Sequence, residues 1–251
     1  MSIIAAAITF ACVFSCGMLG ISLHKWMPVE EETGDTKDVV KLIMGLVATI
    51  TALVLSLLIA ASSSFYNTQQ AEIQQLGVNI AGLDAALIRY GDETKPTRVL
   101  LRQEIAGLLA KMSPEEGVGT DRVGFHSMPS PTDLFSQIER LTPTTTGQHY
   151  VQSAALQLLQ SIASTLLLIH EQVNTAIPLP LLAVLVSWLG VLFVGFGLFV
   201  RMNVTALSAF FVGALCVSTA MFLLLEMGHP YSGIMRVSMA PLHNALPPME
   251  H

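Results

Sequence analysis

The chain has 251 residues, of which 52% are hydrophobic and only 12% charged, with a formal net charge of −6. Soluble domains carry roughly 25% charged residues, so a chain this poor in charge has too little polar surface to cover itself in water and calls for lipid around part of it. The acidic balance, with no basic patch interleaved with aromatics, excludes a nucleic-acid partner, and the three cysteines, all in apolar runs, leave no disulfide framework or zinc spacing in the polar middle.

Ile3 to Leu23 is the first apolar run, closed by His24, Lys25, Trp26 and Pro28. No Lys or Arg precedes it and no small-x-small site ends it, so an uncleaved membrane helix is expected rather than a signal peptide. Leu42 to Ala61, Leu179 to Val200 and Val204 to Leu225 are three more runs without a full charge. At 1.5 Å per residue, about 20 residues cross the roughly 30 Å hydrocarbon layer. The runs do not alternate as barrel strands do, and a helix satisfies its own backbone in lipid.

The expected fold is an all-α membrane protein with four transmembrane helices in two pairs and a helical extramembrane region between them. The divisions are 1–61 for the first pair (spans 3–23 and 42–61), 62–177 for the extramembrane region, 178–226 for the second pair (spans 179–200 and 204–225) and 227–251 for an interfacial tail. Only Arg201, Met202 and Asn203 separate the last two spans, which predicts a tight antiparallel hairpin.

In the polar middle, Ile73, Leu76, Ile80, Leu83 and Leu87 recur at helical spacing. No Pro or Gly interrupts Ser62 to Leu76, so this helix can continue from the second span and end near Tyr90-Gly91. Leu100 or Leu101, Ile105, Leu108 and Met112 predict a second helix closed by Pro114. Ser130-Pro131-Thr132-Asp133 reads as a capping box that opens a short helix through Leu141. Val151, Ala154, Leu158, Ile162, Leu166 and Ile169 line one face of a long helix. Gln157 and Gln160 argue that it lies buried or beside the membrane rather than across it.

With four spans, both termini and the middle region share one side. Lys25, Lys37, Lys41 and Arg201 flank the short loops, against Arg236 on the other side, and this places the short loops in the cytoplasm. The expected location is a cell membrane, a bacterial inner membrane, with lipid as the surrounding partner.

The spans carry stripes of small residues. In the second these are Gly45, Thr49, Ala52, Ser56, Ala60 and Ser63; in the first, Ala5, Thr9, Cys12, Cys16 and Gly20; in the fourth, Thr205, Ala209, Gly213, Cys216 and Ala220; the third offers the looser set Ser187, Gly190, Val194 and Gly197. Small residues let helices approach closely in lipid. Alternatively, a weakly polar stripe without charged rings suits an ion path, which four helices build only as an oligomer. No HExxH, GxSxG, Walker or GxGxxG pattern occurs, so no enzymatic activity, catalytic residue, metal ligand or cofactor is expected. Glu226, His229 and Arg236 are the ionisable cluster just beyond a span, with Pro230 and Gly233 shaping the chain there. A structural role is expected for them, Glu226 capping or pairing with Arg236.

Phe222-Leu223-Leu224-Leu225-Glu226-Met227-Gly228-His229-Pro230-Tyr231-Ser232-Gly233, then Arg236-Val237-Ser238 and Ala240-Pro241-Leu242, resembles the closing motif of the DUF4239 family, described as bestrophin-like membrane proteins. Ile177-Pro178-Leu179-Pro180 with Trp188 and Phe196-Gly197-Leu198-Phe199 agrees. So does Leu83-Asp84 through Arg89-Tyr90-Gly91, followed by Arg98 and Leu101-Arg102. Two positions depart: Gly228 stands where the family has an acid, and Tyr231 where it has Phe. The resemblance implies a homo-oligomer related to channels for chloride or another small anion, lined mainly by the second membrane helix, with the middle region in the cytoplasm, opposite to the charge count. The alternative is a non-conducting scaffold or sensor that recruits a partner through its extramembrane helices.

Overall fold

A computed structural model describes residues 2–24, 34–112, 131–173, 179–200, 202–228 and 235–245. All regular structure among them is helical. α1 is Ser2–His24, α2 Gly34–Tyr90, α3 Lys95–Met112, α4 Pro131–Glu139, α5 Thr146–Val173, α6 Leu179–Leu198, α7 Val204–Met227 and α8 Ala240–Asn244. The chain divides into two compact units, Met1–Tyr66 with Ala176–Met235, and Asn67–Thr175 with Arg236–His251. α2 runs 57 residues without a break and contributes to both, because nothing between Ser62 and Leu76 disrupts a helix.

The first unit gathers α1, the first part of α2, α6 and α7 around Val13, Leu182, Leu185, Leu189, Ala214, Met221 and Leu224. Val54, Leu55, Leu58 and Ile59 bring α2 onto this core. α1 packs against both α6 and α7, helices remote from it in sequence. Glycines set the closest approach. A Cβ added at Gly20 would meet the Val194 carbonyl and lie 2.9 Å from Gly197 Cα, and one at Gly197 would lie 2.6 Å from the Gly17 oxygen. The α1 and α6 backbones therefore touch. Phe193 on α6 reaches α7 at Phe210, ring centroids 5.8 Å apart. Ser218 of α7 donates to the Ala6 carbonyl at 2.7 Å, a buried bond between helices.

The expected stripes only partly match these faces. Thr9, Gly20, Gly190 and Gly197 are buried, but Cys12, Ala209 and Cys216 are exposed, and α7 buries Phe210, Ala214, Ser218 and Met221 instead. α7 is rotated by about one residue from the small-residue expectation because its large apolar side chains fill the core.

The second unit is a packed helical domain. Ile73, Leu76, Ile80, Leu83 and Leu87 of α2 are all buried, as their spacing predicts. Gly91 takes φ +134°, open to glycine and strained for other residues. A 3-10 turn at Asp92–Thr94 then starts α3, with Thr94 Oγ1 donating to the Leu87 carbonyl at 2.6 Å. α5 opens on a reciprocal cap: Thr145 N–H donates to Gln148 Oε1 at 3.2 Å and Gln148 N–H to Thr145 Oγ1 at 3.2 Å. Gln152 donates to the Ile138 and Leu141 carbonyls and so closes α4. The buried face of α5 is Val151, Ala155, Leu159, Ile162 and Ile169, with Ala154 and Leu158 at its edge. Leu158 sits over Gly82. α8 was not expected, and Pro241 there lies against Gly77. Ser130 of the expected α4 cap and Pro114 lie outside the described residues.

Five helices among the described residues are long and apolar enough to cross a membrane: Ser2–Leu23, Asp38–Tyr90, Thr146–Glu171, Pro180–Leu198 and Val204–Met227. The chain is an all-α membrane-spanning protein with several long apolar helices. α5 meets the length and composition criterion in addition to the four expected spans, because Leu156 to Ile169 is apolar apart from glutamines and hydroxyls.

Candidate functional site

The weakly polar stripe of α2 faces away from the core of its own unit. Gly45, Thr49, Ala52, Ser56 and Ala60 are exposed, and Ser63 is half-buried. The opposite face carries Met44, Thr51 and Ser62, all buried. A Cβ at Gly45 would meet nothing, whereas Gly195 of α6 receives the Met44 side chain at 2.7 Å from its would-be Cβ. Leu42, Leu46, Leu53 and Leu57 flank the stripe and are exposed too. The Thr49 hydroxyl donates to the Leu46 carbonyl at 2.7 Å. In that rotamer its proton is directed at the helix backbone.

Glu226 is buried at 1% exposure near the end of α7. One carboxylate oxygen accepts from the Ser2 hydroxyl in a short hydrogen bond. The other accepts the Met235 N–H at 3.1 Å. The carboxylate thus ties the start of α1 to the chain that follows α7, a link the sequence did not signal because 224 residues separate Ser2 from Glu226. Arg236 is exposed. His229, Pro230, Tyr231 and Gly233 lie outside the described residues.

A second ionic cluster lies in the helical domain. Asp84, 3% exposed, receives Arg98 Nε at 2.7 Å on Oδ1 and Arg98 Nη2 at 3.2 Å on Oδ2. This is a bidentate fork, which holds a carboxylate in place as well as pairing with it. The hydrogen bond that Arg98 donates to the Asp84 carboxylate raises the Arg98 pKa above its ordinary value. Arg102 Nη2 stands 3.8 Å from the same Oδ2. Asp84 and Arg98 lie seven residues either side of Gly91, so the α2–α3 turn brings them face to face. That symmetry about a glycine was the available signal.

Among the described residues no group of three or more His, Cys, Asp or Glu could hold a metal ion. A shallow cleft beside α1 is lined by Phe14, Ser15, Met18, Leu19, Ile21, Ser22 and Met202. With no charged group in its lining, it suits hydrocarbon rather than an ion.

A bestrophin-like domain matches residues 10–242. The chain belongs to the bestrophin-like family. The match takes in the last three apolar runs, the first from residue 10 onward, the α2 stripe, the Asp84–Arg98–Arg102 cluster and Glu226, so these features of the bestrophin-like protein belong to the shared domain rather than to an added segment. Comparison with curated proteins and with solved structures gave no match.

Proposed function

We propose that this bestrophin-like protein is one subunit of a homo-oligomeric membrane channel that conducts anions such as chloride along a path lined by α2. The supporting observation is the stripe Gly45, Thr49, Ala52, Ser56 and Ala60, which is small, uncharged and exposed on the protomer while the opposite face of α2 packs inward. Such a face tolerates close approach by a second copy and carries no charged side chain that would trap an ion. In this reading α1, Leu42–Ala61 of α2, α6 and α7 are the four spans, in two sequence pairs, and α5 belongs to the extramembrane region of residues 62–177. The tail motif around Glu226 favours the DUF4239 branch of the family, in a bacterial inner membrane.

Chloride efflux from liposomes loaded with purified protein tests the proposal. The expected result is chloride flux above that of empty liposomes, reduced at least about tenfold by Ser56→Trp. Absence of flux, or flux unchanged by Ser56→Trp in a correctly assembled oligomer, refutes it.

The second reading is a non-conducting scaffold or sensor that recruits a partner through its extramembrane helices. It draws support from Thr49, whose hydroxyl already bonds the Leu46 carbonyl rather than pointing away from the helix. Under that reading the stripe is a packing surface, and Ser56→Trp disrupts assembly.

A further inference from the structure

We infer that Arg102 is the binding residue for a small soluble oxyanion, a phosphate or carboxylate, on the helical domain. Two guanidinium groups converge on one carboxylate there, leaving a net positive charge. Arg98 occupies both oxygens of Asp84 through its Nε–Nη2 edge. Arg102 has only the outer approach, Nη2 at 3.8 Å, beyond hydrogen-bond distance. Its own Nε and Nη2 are buried and donate to no acceptor among the described residues. No other acid among them lies within ion-pair distance of Arg102.

The unsatisfied atoms identify the ligand class. Nε–H and Nη2–H form the side-on edge of the guanidinium, two parallel donors that match two oxygens of one carboxylate or phosphate. A buried donor left without a partner is destabilising, so this edge favours any arrangement that gives it an oxyanion. The Arg102 side chain retains 21% exposure, and since Nε and Nη2 contribute almost none of it, the remainder of the side chain reaches the surface. Rotation about its terminal torsions carries the edge outward without moving the α3 backbone. The anion then pairs with Arg102 as Asp84 pairs with Arg98, giving two cations and two anions.

A free anion fits better than a lipid headgroup. Asp84 lies 23 residues beyond Ala61, where the apolar run of α2 ends, which is roughly 34 Å along the helix at 1.5 Å per residue. The site is independent of conduction, and its test involves no flux.

The experiment is thermal unfolding of the full chain in detergent, with inorganic phosphate or acetate titrated against chloride at constant ionic strength. For the wild type the midpoint rises saturably with phosphate or acetate, by about 3 to 6 °C at ten times the dissociation constant, and chloride gives no saturable rise. Arg102→Gln removes the rise. Arg102→Lys, which keeps the charge and loses the fork, retains less than half of it and decides the matter if the Gln variant does not fold. A rise of equal size in wild type and both variants, or no saturable rise with either oxyanion, overturns the site. A rise seen only in bilayers containing phosphatidylglycerol, and not with free phosphate, also overturns it and points to lipid.

Discussion

The two units bury their helices by different means. In the unit of α1, α6 and α7, backbones meet at Gly17, Gly20 and Gly197, aromatic rings from α1 and α7 interlock, and a serine hydroxyl bonds a neighbouring helix. In the helical domain, rows of Leu and Ile fill the interior, glutamines cap the helix ends, and a buried carboxylate is forked by arginine. Lipid supplies no hydrophobic drive between apolar helices, so close packing must come from small residues and direct contact. Leucines line both cores, and the first unit adds direct backbone contact at glycine between α1 and α6.

The largest expected effect that tests this contrast is Gly20→Leu. Its side chain would start inside the α6 backbone, which cannot yield as a flexible side chain can, and the loss should be about 3 kcal/mol or more. Size-exclusion profile and thermal midpoint of the detergent-purified protein measure it. Gly45→Ala in the same unit is the control. Its Cβ meets nothing, so the midpoint should stay within about 1 °C or rise slightly through helix propensity. If Gly20→Leu leaves the midpoint unchanged, backbone contact is not what holds α1 to α6.

Next in size is Asp84→Ala in the helical domain. Removing the carboxylate leaves Arg98 and Arg102 facing each other with side chains only 17% and 21% exposed. Breaking a buried ion pair costs about 3 to 5 kcal/mol, and the partial exposure of both arginines puts the expected loss near about 3 kcal/mol, partly recovered in high salt. A variant as stable as wild type would mean that this unit relies on its aliphatic core alone.

The smallest effect concerns Tyr90, 4% exposed, whose hydroxyl finds no hydrogen-bond partner among the described residues. Burial, and then the nearby Glu93 charge, raise its pKa above the ordinary value of 10.0. The fold thus favours the neutral phenol. Its contribution is intact below the ordinary pKa and is lost as pH rises through the folded value. Tyr90→Phe should change the midpoint by less than about 2 °C at pH 7, since no hydrogen bond is broken. Above pH 10 the wild type should lose stability relative to the variant, and a midpoint difference that stays constant from pH 7 to pH 11 would contradict this.

Helix positions were legible in the sequence because each depends on local pattern. The apolar runs, the uninterrupted passage from Ser62 to Leu76, the glycine at position 91 and the Leu and Ile spacing of the middle region fix where helices start, continue and face. The α2 stripe was legible as a set of residues, but not as an exposed one, since exposure depends on which face Val54, Leu55, Leu58 and Ile59 commit to the core. Ser2 with Glu226, and Ser218 with Ala6, carried no sequence signal at all.

By itself the sequence determined the membrane class, the long helices and the surfaces they offer, because hydrophobicity and periodicity act over a single turn or a single span. Only the tertiary structure decided that Gly20 and Gly197 touch, that the Gly45 to Ala60 stripe faces outward, that Glu226 joins α1 to the chain after α7, and that Arg102 keeps a donor edge that Asp84 does not fill. Each of these is a distance between segments remote in sequence, and such distances follow from how whole helices pack.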